Sequence, residues 1–201
     1  MIQLPENIDY TKYYGKSGMS TRNWGGQLWE SMFISIMGRY PVKITTNEDI
    51  EIKDTFKNLL TNLKVTIPCI FCRQSFEKFL KELPIEQYLI GRIELMYWLY
   101  LMKDKVNKKL IKQEEKCYYD NLELYNNKKN QLKKTYYNNR ITKREYKHLK
   151  IKLQKKYYKK MNDSFYTIPS PPFEEILDYY EKNRAICSKK SLSCVLPNRK
   201  K

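Results

Sequence analysis

Three prolines, Pro41, Pro68 and Pro84, divide the first hundred residues into segments of single-helix length. Proline has no amide proton and clashes with the preceding turn, so each one stops a helix or starts the next. Between them, apolar residues recur at three- and four-residue steps. In "WGGQLWESMFISIMGRY" Trp24, Leu28, Met32 and Ile36 share a stripe flanked by Trp29, Phe33 and Met37, with Thr21 or Asn23 as the expected cap. Asn47, followed by Glu48 and Asp49, opens a second helix that turns Ile52, Phe56, Leu59, Leu60 and Leu63 inward. A third is expected from about Cys69 to Leu83, and a fourth from about Ile85 to Leu110. Four helices with short connections within about 90 residues imply an all-α fold, an antiparallel four-helix bundle. No alternating strand pattern competes with it.

After Ile111 the composition shifts to Lys, Tyr and Asn. Tyr118, Leu122, Tyr125, Leu132 and Tyr136 follow a loose helical spacing. A break at "YNNRITKREY" follows, where Thr142 and Glu145 fit a capping box. Tyr146, Leu149, Leu153 and Tyr157 then repeat at helical steps, so residues 111–167 read as a basic helical hairpin inserted into the bundle. "IPSPPFEEILDYYEKN" leads into a short fifth helix over 168–183, with Phe173, Ile176, Leu177 and Tyr180 inward. Residues 1–20 read as an irregular leader, 21–110 as the bundle, and 184–201 as a basic tail carrying Cys187 and Cys194.

The formal charge of +17 is concentrated late in the chain. Residues 1–110 hold 16 Lys/Arg against 12 Asp/Glu, whereas 111–163 hold 16 against 6. Such a surface is a solvated face or a contact for a protein or anionic partner. No run of about 18 apolar residues marks a membrane span, and the N-terminus lacks a secretory pattern. Five cysteines in such a chain point to metal binding or redox chemistry rather than a stapled secreted domain.

The pair in "TIPCIFCRQSFEKFL" carries the chemistry. A thiolate is the reactive form of cysteine, and a helix N-terminus favours it because unsatisfied N–H groups point at the sulfur. Cys69 follows Pro68 at the expected start of the third helix, Cys72 lies one turn in, and Arg73 adds positive charge. Zinc is the other reading, but it wants four ligands. The only histidine, His148, lies in the basic hairpin, and Cys187 and Cys194 are spaced more widely than usual zinc-finger ligands. A basic helical binding protein, contacting nucleic acid or a virion partner and holding a cysteine-ligated zinc, is therefore the alternative to a redox enzyme.

Around the pair stand Trp24-Gly25 and Trp29, then Tyr40-Pro41, then Trp98, Val106, Asn107 and Leu110. This order resembles the Erv/ALR family of FAD-linked sulfhydryl oxidases, most of all the branch carried by large DNA viruses. The resemblance covers about residues 22–110 and, weakly, 168–182. It implies FAD held beside Cys69 and Cys72, usually in a homodimer, with no metal. Cys72 would pass electrons to the flavin and Cys69 would exchange with the incoming disulfide. Protein thiols would be oxidised and O2 reduced to hydrogen peroxide, with Cys187 and Cys194 as a candidate shuttle pair and Cys117 a bystander. The cofactor-binding positions it implies are Trp24, Gly25, Gly26, Trp29, Phe33, Tyr40, Cys72, Lys103, Asp104, Val106, Asn107 and Lys109. Phe33 and Lys103-Asp104 stand where the family carries histidine and His-Asn, and Gly26 where it often carries a basic residue. The host cytoplasm or the virion is the implied location.

Overall fold

The computed structural model describes residues 8–15, 18–162, 167–188 and 193–195. The element order is a 3-10 turn at Tyr10–Tyr13, then α1 (Thr21–Arg39), α2 (Asn47–Thr61), α3 (Leu63–Thr66) and α4 (Ile70–Glu82). A second 3-10 turn at Glu86–Tyr88 leads to α5 (Arg92–Tyr137), α6 (Lys143–Asn162) and α7 (Phe173–Lys182). Two short strands, β1 (Ile186–Ser188) and β2 (Ser193–Val195), pair antiparallel. The fold is thus all-α apart from that small hairpin, which no sequence pattern announces.

The chain divides into two compact units, one formed by Met1–Met102 with Pro172–Lys201 and one by Lys103–Pro171. In the first, Met32, Phe33, Ile36 and Met37 of α1 are buried with Phe56 and Leu60 of α2 and Phe76 of α4. Leu95, Met96, Trp98, Leu99 and Met102 of α5 are fully buried in the same cluster, which Tyr180 of α7 completes. The expected α1 face is therefore the one that packs, although the helix begins at Thr21 with Ser20, not Thr21 or Asn23, at the N-cap. Two polar groups are buried with partners: the Tyr40 hydroxyl donates to Leu89 O at 2.8 Å, and the Trp98 indole to Leu83 O at 3.0 Å. Burial pushes the Tyr40 phenol up to about 12, with Asp54 adding to the shift.

Four boundaries and one inward position differ from expectation. One of the boundaries is that of α7, which begins at Phe173 rather than 168 because Pro169, Pro171 and Pro172 precede it. Leu59 is 53% exposed, because Ile52, Phe56 and Leu60 fill the inward stripe and Leu59 lies at its edge. Leu63 is buried but belongs to α3, not α2. The fourth helix starts at Arg92 rather than Ile85. Gly91 bridges to Lys43, and a Cβ there would lie 2.7 Å from Val42 O, so close backbone approach holds the segment out of the helix. Ile85 and Leu89 are nevertheless buried from that turn. Finally, α5 does not end near Leu110; it continues to Tyr137, since no proline or glycine interrupts Ile93–Tyr137. Composition changes at residue 111, but helical continuity does not.

In the second unit the expected hairpin turn is present. The Thr142 amide and hydroxyl each donate to Glu145 Oε2 at 2.8 Å, and Thr142 Oγ1 accepts from the Glu145 amide. Asn139 takes a positive φ of 55° in the turn. Tyr136 stacks on Tyr146 at 4.8 Å, and Tyr125 meets Tyr157 at 6.0 Å. The return segment lies along α5, with Glu114 accepting from the Thr167 amide and hydroxyl.

A capping box at the start of α2 carries a pH prediction. Asp49 Oδ2 accepts from the amides of Thr45 (3.0 Å) and Thr46 (2.9 Å), while Thr46 Oγ1 accepts from the Asp49 amide. The Thr45 amide first, then the Thr46 amide, lower the Asp49 carboxyl from 3.8 to about 2. A lowered carboxyl stabilises the folded state above its unfolded value, and that contribution disappears as pH falls from 3.8 through about 2. Expected by NMR titration is an Asp49 midpoint near 2, tracked by the first amides of α2 and absent in Asp49→Asn. A midpoint at the ordinary aspartate value would contradict the box.

Candidate functional site

The Cys pair is built by a change of backbone direction between α3 and α4. Ile67 is buried and anchors the chain, and Pro68 prevents α3 from continuing. Cys69 then takes an extended conformation, φ −137° and ψ 119°, as the N-cap of α4. Its sulfur accepts the Cys72 amide at 3.3 Å, where serine or aspartate oxygens usually serve. The Cys72 sulfur lies 2.6 Å from the same sulfur, inside van der Waals contact and close to disulfide distance. The Cys72 amide and the positive end of a helix dipole thus converge on Cys69 Sγ, an arrangement that stabilises negative charge there. The two sulfurs are also within bond-forming reach of each other.

Arg73 does not point at the sulfur. Its guanidinium donates to Ile67 O at 2.7 Å, bracing the segment that sets Cys69 in place. From the other side the Met19 amide donates to Pro68 O at 3.0 Å. Gly18 lies so close that a Cβ would overlap the Pro68 carbonyl oxygen, which makes glycine the residue that fits. The Trp24 indole donates to Met19 O at 3.1 Å, tying the start of α1 to this strap. Nothing in the pattern "KSGMSTRNW" signals that Gly18 and Met19 meet Pro68; only the tertiary fold shows it.

Cys69 and Cys72 are half-buried against the core, as are Trp24, Leu28 and Trp29. The two residues between the cysteines point outward, with Ile70 55% and Phe71 72% exposed. The pair can therefore be reached from solvent across an apolar lip. Sequence reasoning passes over Phe71, although an apolar residue inside a Cys-x-x-Cys at a helix start is a visible signal.

The other expected cofactor positions fall into two sets. In the first unit Trp24, Gly25 and Trp29 are half-buried and Gly26 is exposed. Phe33 is 1% exposed and its ring stacks on Tyr180 at 5.3 Å, while Tyr40 is 0% exposed and packs edge-on against Phe56. Those two rings belong to the core. The Tyr180 hydroxyl donates to Glu30 at 2.8 Å, and burial first, then this bond, raise its phenol above the ordinary range. In the second unit Lys103, Asp104, Val106, Asn107 and Lys109 are half-buried on α5. Asp104 pairs with Lys108 at 2.7 Å, and the Asn107 amide donates to Ser170 Oγ at 2.9 Å.

Cys187 is disulfide-bonded, and the β1–β2 register sets Cys194 opposite it. The side chain of Cys194 lies outside the described residues. Cys117 is exposed on α5, with Asn121 donating to its carbonyl at 2.8 Å. Among the described residues no three His, Cys, Asp or Glu side chains gather as a metal site, and no helix is long and apolar enough to cross a membrane.

A family model described as the Erv1/Alr family matches residues 26–152, from α1 through the Cys pair and well into α6. No curated protein matches the chain.

Proposed function

Because this chain belongs to the Erv1/Alr family, whose members are thiol oxidases, we propose that it forms protein disulfides through Cys69 and Cys72 with FAD as its cofactor. The observation that carries the proposal is the placement of Cys69 Sγ at the start of α4, capped by the Cys72 amide and within bond-forming reach of the Cys72 sulfur. In the oxidised pair, a substrate thiolate attacks Cys69 Sγ and Cys72 leaves as the thiolate. A second substrate thiol then displaces Cys69, so one substrate disulfide forms as the pair takes up two electrons and two protons. The N-terminal dipole of α4 stabilises the thiolates released, and the outward Ile70 and Phe71 leave room for a polypeptide to approach.

The side-chain chemistry suits a flavin. Two half-buried indoles, Trp24 and Trp29, pack on the same core as the thiols and would hold the ring system, with Cys72 as the electron donor. Phe33 and Tyr40 would support that wall from within the core. Lys103, Asp104, Val106, Asn107 and Lys109 are assigned to the cofactor by the family pattern alone, with the lysines suited to its phosphates. Bound FAD would supply a two-electron acceptor that O2 reoxidises, with hydrogen peroxide as the product. Cys187 and Cys194 are proposed as a shuttle that carries electrons from substrate thiols to the pair. The homodimer, the viral branch, and action in the host cytoplasm or virion extend the proposal and rest on resemblance.

The test is an absorption spectrum of the purified protein, before and after a dithiol is added under air. Flavin bands that bleach and then return as oxygen is consumed are expected. A colourless protein that cannot be reconstituted with FAD would overturn the assignment.

A further inference from the structure

The Lys103–Pro171 unit carries 20 Lys/Arg against 7 Asp/Glu, so most of the chain's charge resides there. Three of its seven acidic groups are engaged internally: Asp104 with Lys108, Glu114 with Thr167, and Glu145 in the Thr142 cap. The excess is densest on α6, where nine of twenty residues are Lys or Arg and Glu145 is the one acid.

These charges are sorted by face. Tyr157 and Met161 are buried and Tyr146 and Leu153 half-buried on one side of α6, with the ring contacts to Tyr136 and Tyr125 showing that this side packs on α5. Arg144, His148, Lys152, Lys155 and Lys159 follow at steps of four, four, three and four on the opposite side, and all are exposed. At about 1.5 Å per residue the row extends roughly 22 Å. Among the described residues Arg144, Lys152, Lys155 and Lys159 have no acidic partner. Tyr158 lies between this row and the packed side, 48% exposed and with its ring 6.1 Å from that of Tyr125.

We propose that the outer face of α6 binds the phosphate backbone of a nucleic acid without sequence preference. A linear polyanion matches a linear row of cations, and a duplex carries a charge about every 1.7 Å of its axis. A lipid surface fits less well, because a helix lying in a membrane interface needs its apolar face, and α6 has committed that face to α5. The exposed part of the Tyr158 ring adds a surface on which an unpaired base can stack. This inference does not depend on the thiol-oxidase reading, since it concerns the other unit.

The test is fluorescence anisotropy of the full chain with duplex DNA and single-stranded RNA of about 20 nucleotides, from about 50 to 200 mM salt. The variant replaces Arg144, Lys152, Lys155 and Lys159 by Gln; a control of equal charge replaces Lys43, Lys64, Lys78 and Lys81. Binding to either nucleic acid is expected, with affinity lowered about tenfold or more in the α6 variant and its salt slope shallower by up to ~0.9 per lost contact. The control should bind nearly as the parent does, and helicity should be unchanged in both. Equal losses in the two variants would reduce the effect to net charge and overturn the proposal. So would an absence of binding at the lowest salt, or binding to phosphatidylserine vesicles but to neither nucleic acid.

Discussion

Cys72→Ser is expected to lower dithiol-dependent oxygen consumption about 10³-fold or more, in line with removal of an essential nucleophile or its partner. Cys69→Ser should do the same, yet neither change should unfold the protein. Serine is among the preferred N-cap residues, so at position 69 its oxygen can take over the hydrogen bond from the Cys72 amide that the sulfur now accepts at 3.3 Å. The cap survives while the thiol is lost. Both side chains are also only half-buried, so the change of one atom creates no sizeable cavity. Rates should be measured together with thermal melting and the flavin spectrum. Loss of turnover at unchanged melting temperature and unchanged absorbance ties the chemistry to the pair. Full activity in either variant would mean that electrons enter elsewhere.

The Cys pair is also the part of the site that local sequence makes legible. Pro68 followed by a Cys-x-x-Cys predicts a helix start, and α4 begins one residue after Cys69. The same local logic locates the α5–α6 turn, because Thr142 and Glu145 satisfy each other within four residues. What escapes is non-local. Gly18 and Met19 brace Pro68 from some fifty positions away, and no pattern in either segment encodes that approach. Arg73, whose position suggests a charge beside the thiolate, is instead spent on the Ile67 carbonyl. The Ile85–Gly91 segment has apolar residues at helical spacing, yet Gly91 against Val42 holds it as a turn. Phe33 illustrates the limit for the cofactor positions. A motif can align it with a family histidine, but only packing shows its ring against Tyr180.

Trp98 separates structural from chemical roles most sharply, and Trp98→Ala is the substitution expected to cost most in stability. Trp98 is 0% exposed within the cluster of Leu95, Leu99 and Met102, and its indole N–H donates to Leu83 O at the end of α4. Truncation of a fully buried tryptophan costs about 3–5 kcal/mol through lost contacts and the cavity left behind. The stranded Leu83 carbonyl adds about 1–3 kcal/mol unless water reaches it. A domain of this size has about 5–15 kcal/mol in hand, so the variant should melt at least about 10 °C lower and lose yield on expression. Trp98→Phe restores much of the ring volume without the donor, and should recover more than half of the loss. Activity per folded molecule is the informative measurement. Because Trp98 lies inside the core, with no exposed surface to offer a ligand, the rate below the melting transition should stay within about threefold of the parent, since packing rather than transition-state contact is what changed. A rate that collapses in Trp98→Phe at intact fold would instead place this indole against the cofactor. It would also mean that the same core holds both the helices and the chemistry.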